Sequence, residues 1–114
     1  MGFFTNLFKR GKNNERAVIM QLIKNLNGRQ IKYVVERLPD EESDIVIGRT
    51  GALILKGDEL LVYSDEKVLF RAVTNELDAS ELLSLEGVIL SAPDIEHGRR
   101  PRTVIAYYTY YRKT

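Results

Sequence analysis

The residues best equipped for chemistry in this 114-residue chain lie close together near its C-terminal end, in Pro93-Asp-Ile-Glu-His-Gly-Arg-Arg-Pro-Arg102. The stretch holds the single histidine, His97, with Asp94 and Glu96 before it and Arg99, Arg100 and Arg102 after it. Three arginines beside a glycine and near tyrosines can grip an anion such as a phosphate or a headgroup through paired N–H donors. Arg99, Arg100 and Arg102 are therefore the candidate anion-binding residues. Asp94-x-Glu96-His97 offers metal-ligand types, but no spacing that defines a coordination geometry. A catalytic reading lacks a placed nucleophile, and the acid that would orient the histidine is its neighbour on the same loop. No catalytic residue, metal ligand or cofactor is assigned, the chain is not expected to be an enzyme, and a solvated hairpin tip is the simplest account of the loop.

The strand expected after that loop, Thr103–Arg112, reads TVIAYYTYYR. Its tyrosines, with Arg99, Arg100, Arg102, Arg112 and Lys113, have the makings of a stacking platform for single-stranded nucleic acid. No interleaving of aromatics with Gly and Lys/Arg is present, and an acidic middle region opposes the polyanion. Structural tyrosines are preferred, and a nucleic-acid-binding domain using this Arg/Tyr-rich hairpin is kept as the alternative. Asp40, Glu41, Glu42 and Asp44 gather carboxylates without the spaced ligand pattern of a calcium loop, so they read as a solvated loop. There is no cysteine, which removes disulfides and thiolate chemistry. Glycine-rich phosphate loops, dinucleotide fingerprints and H-E-x-x-H are absent from the sequence.

The first twelve residues, MGFFTNLFKRGK, place Phe4, Leu7 and Phe8 on one helical face, with Phe3 beside them and Lys9 and Arg10 following. Phe3, Phe4, Leu7, Phe8, Lys9 and Arg10 are the candidate membrane or partner contact. Aromatics followed by cations suit weak adsorption at an anionic surface, while docking on the domain or on a second subunit is the plainer reading. Net charge is segregated along the chain: +6 over residues 1–37, −10 over 38–97 and +5 over 98–114. Basic ends folding against an acidic middle, within or between subunits, explain this without an external polyanion. A protein partner or self-association is thus the expected interaction, a peripheral membrane role the next, and nucleic acid the least favoured. With no long apolar run and charges that follow the first apolar residues, the chain is expected in the cytoplasm, without a lipid anchor but able to touch the inner membrane face.

The elements that must position these residues are one helix and about seven strands. Ile19, Leu22, Ile23 and Leu26 form a single apolar stripe within Asn14–Leu26, with Val18 beside it, Asn13 or Asn14 as cap and Asn27-Gly28 as stop. Gln30–Leu38 and Asp44–Gly48 read as strands, with Gly48-Arg49-Thr50-Gly51 turning the chain. Ala52–Lys56, Glu59–Tyr63 and Lys67–Val73 form a meander through Gly57-Asp58 and Ser64-Asp65-Glu66. Asp78-Ala79-Ser80-Glu81 followed by Leu82, Leu83 and Leu85 predicts one or two helical turns or a bulged strand, and Gly87–Ala92 another strand. Both faces of the meander are largely apolar, which requires cover on both sides.

The run Gly51-Ala-Leu-Ile-Leu-Lys-Gly-Asp-Glu-Leu-Leu-Val-Tyr63, then Lys67–Val73 and a short acidic-apolar segment, resembles GRAM and related pleckstrin-homology-like domains. Those carry a G-x-L-x-L-T-x-x-x-L-x-x-Y/F hairpin; here Lys56 and Gly57 stand where Thr-Asn is usual, and no long C-terminal helix follows. The resemblance implies a lipid-, peptide- or protein-binding role without catalysis, with the N-terminal helix as plug. The expected fold is α+β and mostly β: an antiparallel split barrel or sandwich of about seven strands packed on one N-terminal helix. Residues 1–12 form a flexible or amphipathic segment, and 13–114 a single domain of helix and β-barrel.

Overall fold

A computed structural model describes residues 15–38 and 44–109; the expectations for Phe3, Phe4, Leu7, Phe8, Lys9 and Arg10, the Asn13 or Asn14 cap and Tyr110–Lys113 fall outside them. A helix, α1, covers residues 15–26. Seven strands follow: β1 (Gln30–Arg37), β2 (Asp44–Lys56), β3 (Glu59–Ser64), β4 (Lys67–Val73), β5 (Asp78–Glu81), β6 (Gly87–Asp94) and β7 (Arg100–Tyr107). Short 3-10 turns, η1 (Thr74–Glu76) and η2 (Ile95–His97), complete the chain. All strand pairs are antiparallel, in the order β4-β3-β2-β1-β7-β6-β5.

Local chemistry sets the hairpins. Lys56 faces Glu59 across Gly57-Asp58, with Gly57 at φ +63°. Ser64 faces Lys67 across Asp65-Glu66, both of which adopt positive φ, the pair of conformations a two-residue hairpin of matching twist requires. Asp94 Oδ1 accepts from the Glu96 N–H at 3.0 Å and opens η2, which Gly98 closes in the left-handed region.

Long-range geometry then forces the sheet to curl. Laid flat, seven strands span about 29 Å from first to last. The two outermost strands, β4 and β5, are joined by Thr74–Leu77 alone, and five peptide steps from Val73 to Asp78 reach at most about 17 Å. The edges must therefore approach one another, and β4 comes to lie against β6 and η2. No backbone ladder joins β4 to β5 or β6, so the sheet is curled but open, and the expected closure into a barrel is not reached through hydrogen bonds.

The helix lies over the concave side. Ile23 and Leu26 are buried in one core with Ile31, Val34, Leu53, Leu60, Val62, Phe70, Leu77, Val88, Leu90 and Val104, while Ile19 and Leu22 pack at its margin and Val18 faces out. Both ends are pinned. The Arg16 guanidinium donates to the carbonyls of Leu77 (2.9 Å) and Thr74, gripping the β4–β5 connection. At the other end Gly28 N–H donates to Leu53 O (2.8 Å), and Asn27 Oδ1 accepts from Leu55 N–H (2.9 Å).

Three sequence expectations are corrected. Gly48 to Gly51 is no turn but the middle of the thirteen-residue β2. A Cβ on Gly51 would lie 1.7 Å from Tyr63 O, so that glycine serves close backbone approach. Pro93 and Asp94 belong to β6 and Arg100 to Arg102 belong to β7, leaving a loop of five residues where ten were expected. The last strand spans Arg100–Tyr107 instead of Thr103–Arg112, with Tyr108 and Thr109 in a bend. Asp78–Glu81 forms a strand and not helical turns, in regular register with β6 and without the expected bulge.

Candidate functional site

The chemistry-bearing residues converge where β6, η2 and β7 meet β1 and the edge of β4. Register places Asp94 opposite Arg100 and Ala92 opposite Arg102, so Asp94 and Arg102 fall on one face of the β6–β7 hairpin. Asp94 is completely buried and accepts four hydrogen bonds: Arg71 N–H (3.1 Å) and Glu96 N–H (3.0 Å) on Oδ1, His97 Nδ1 (2.6 Å) and Arg102 Nη1 (2.6 Å) on Oδ2. Arg102 reaches across to β1, giving Nε to Glu36 Oε2 (3.0 Å) and Nη2 to Glu36 Oε1 (2.8 Å), and donates from Nη1 to Leu69 O (3.0 Å). Asp94 and Arg102 thus satisfy the N–H of Arg71 and the C=O of Leu69, two groups that the free edge of β4 would offer a neighbouring strand. An acid and a base replace the missing ladder.

Electrostatics follow the bonding. Burial pushes the Asp94 carboxyl up, but donation from Arg102, Arg71 N–H, His97 and Glu96 N–H outweighs it and holds the group below its ordinary value. The bidentate bond from Arg102 lowers Glu36 against a smaller desolvation effect. Arg102 is raised, first by its bond to Glu36. Around this centre Arg71 lies 3.6 Å from Glu59 and 3.3 Å from Glu96; the Nε–Glu96 approach is within ion-pair range but outside hydrogen-bond geometry.

The arginines expected to grip an anion do not share one open site. Arg102 is almost wholly enclosed, with Nε, Nη1 and Nη2 all bonded; Arg99 pairs with Glu76 at 2.7 Å; Arg100 is exposed. His97 Nδ1 lies 2.6 Å from the buried Asp94 carboxylate, a contact that fixes the orientation of the ring. Among the described residues its side chain bonds Asp94 and lies 3.3 Å from Arg102 Nη1, and no cluster of three or more His, Cys, Asp or Glu is arranged around a common centre.

The described tyrosines of the C-terminal strand make contacts within the domain. Tyr107 stacks on its cross-strand partner Tyr33, centroids 4.4 Å apart and planes 11° from parallel. The Arg29 guanidinium sits 3.9 Å over the Tyr108 ring. Burial raises both Tyr107 and Tyr108.

A second place stands out that residue types did not announce. The β5–β6 hairpin ends in Leu82-Leu83-Ser84-Leu85-Glu86, where Leu83 is fully exposed and Leu85 is 66 % exposed. The tip is held by hydrogen bonds from Leu82 N–H to Gly87 O (3.0 Å), Leu85 N–H to Leu82 O (2.8 Å) and Tyr108 N–H to Glu86 O (2.8 Å). Leu85 adopts φ +64°, a conformation that costs a branched, non-glycine residue about 1–2 kcal/mol. Exposed Glu81 and Glu86 flank it. The signal available in the sequence was the run Leu82, Leu83 and Leu85, whose spacing fits a helical turn or a strand and does not by itself mark an exposed tip.

No family model matches the chain, and no match is found among curated proteins or solved structures. Among the described residues no helix is long and apolar enough to cross a membrane.

Proposed function

We propose that the chain is a non-catalytic interaction module that presents the Leu83–Leu85 tip to a protein partner. One observation carries this reading: two leucines stand in solvent on a hydrogen-bonded turn whose backbone is strained at Leu85. Strain and exposed apolar surface are both unfavourable in the isolated domain, and features of that kind gather at binding surfaces. The acidic flanks favour a partner with an apolar socket and a basic rim, and disfavour insertion into an anionic bilayer. In this reading the curled sheet, with β4 tied to η2 through side chains, works as a split barrel of the pleckstrin-homology-like kind. The Asp94–His97–Arg102 cluster is then part of the scaffold.

The test uses a photo-reactive benzoylphenylalanine placed at position 83, with position 18 on the exposed side of α1 as control. A discrete adduct from 83 and none from 18 supports the reading; equal or absent labelling at both positions removes it. A second measurement needs no partner. Leu85→Gly relieves the left-handed strain and is expected to raise the unfolding free energy by about 1 kcal/mol in urea titrations; an unchanged or lowered value would mean that Leu85 is not strained.

A further inference from the structure

Among the described residues, three stretches of strand edge are treated differently. The edge of β4 is tied by Asp94 and Arg102. That of β5 is four residues long and displays Asp78, Ser80 and Glu81 to solvent. The third is the start of β2. β1 runs beside β2 as far as Asp44, but β3 stops at Ser64, opposite Gly51. Asp65 N–H reaches Thr50 O (3.4 Å), and the Ser64 hydroxyl extends cover to Arg49, accepting from its N–H (2.8 Å) and donating to its carbonyl (2.7 Å). Beyond that point, among the described residues, Asp44–Ile47 has a strand on one side only.

This overhang carries none of the charges that usually guard an edge over Ile45-Val46-Ile47. Ile45 is 50 % and Val46 49 % exposed, although they point to opposite faces of the sheet. Val46 also ends a cross-strand row, Val46–Val35–Ile105–Ile89, in which Val35 and Ile105 are buried. An apolar row that stops half-exposed at an uncovered edge can continue into another strand.

We propose that β2 pairs with β2 of a second copy of this chain, antiparallel about a two-fold axis at Val46. The segment is self-complementary. Once the bulge at Ile47 is allowed for, Val46 meets Val46 in that register, while Ile45 of each copy falls opposite Gly48 and Asp44 opposite Arg49 of the other. The acidic end of the segment thus meets the basic end twice, as an isologous contact requires. The apolar row then runs unbroken across both sheets.

The chain's lack of cysteine makes a direct test available. Directly opposed residues in antiparallel strands have Cα atoms about 4.5–5.5 Å apart, within disulfide reach. Val46→Cys is expected to form a linked dimer under mild oxidation at least about tenfold faster than Val18→Cys or Leu83→Cys, because pairing raises its effective concentration. Sedimentation velocity of the unmodified full chain is expected to shift from monomer toward dimer with concentration, and Val46→Lys to remain monomeric with an unchanged urea midpoint at dilution. Equal linking rates at the three positions, or an unmodified chain that stays monomeric to about 1 mM, overturns the proposal. Position-83 labelling reads the tip separately, so either conclusion can fall without the other.

Discussion

Removing the Arg102 guanidinium leaves the Asp94 carboxylate buried without its cation and Glu36 without its bidentate partner. Breaking a buried pair from one side costs about 3–5 kcal/mol, so Arg102→Ala is expected to lower unfolding free energy by that amount in urea titrations. Arg102→Lys should recover only part of it, since one ammonium cannot reproduce the fork toward Glu36 together with the bonds to Asp94 and Leu69 O. The pH dependence has a definite sign. Asp94 and Glu36 both have folded values lowered from 3.8 and 4.5, so their contribution is fully present above those values and is lost as pH falls below them. Stability should decline through the region below about pH 4.5, and Asp94→Asn, though less stable at neutral pH, should show a shallower decline there. Equal slopes for the two proteins would mean that Asp94 is not the group being titrated.

At the level of elements, β2 turns on two glycines that do different work. The Gly51 Cα faces the Tyr63 carbonyl, backbone that cannot give way, whereas a Cβ on Gly48 would meet Leu69 Cδ1 at 2.3 Å and the Ser64 side chain. Gly51→Ala is therefore expected to cost about 3 kcal/mol or more and Gly48→Ala about 1–2, because side-chain ends can shift. Comparable urea midpoints would contradict this. The same pair explains a misreading: Gly-x-x-Gly signals a turn when glycine is used for positive φ, yet here both serve close approach, and the two uses look alike in sequence. The short hairpins were legible because a Gly-Asp or Ser-Asp-Glu break acts within a few residues. The lengths of β6 and β7 were not, since Pro93 and Arg100–Arg102 read as loop until their register across the hairpin is known.

Across the whole molecule, α1 and both halves of the sheet share one core, and the connection Thr74–Leu77 ties the outer strands under the helix. Ile23→Ala should cost about 2–5 kcal/mol and lower the far-ultraviolet and tyrosine-fluorescence midpoints together. Separate midpoints would mean that the helix unfolds independently. The amino-acid sequence alone determined the apolar stripe of α1, the β-rich class, the meander and the crowding of His97 with acids and arginines, because each depends on spacing within about a dozen residues. Tertiary structure decided what those groups do. Arg102 finds Glu36 sixty-six residues away, Asp94 finds an open strand edge, and Leu83 and Leu85 find no cover among the described residues. Partnership and exposure at that distance depend on how far the sheet curls, which is set by chain closure between its outer strands and not by any local pattern.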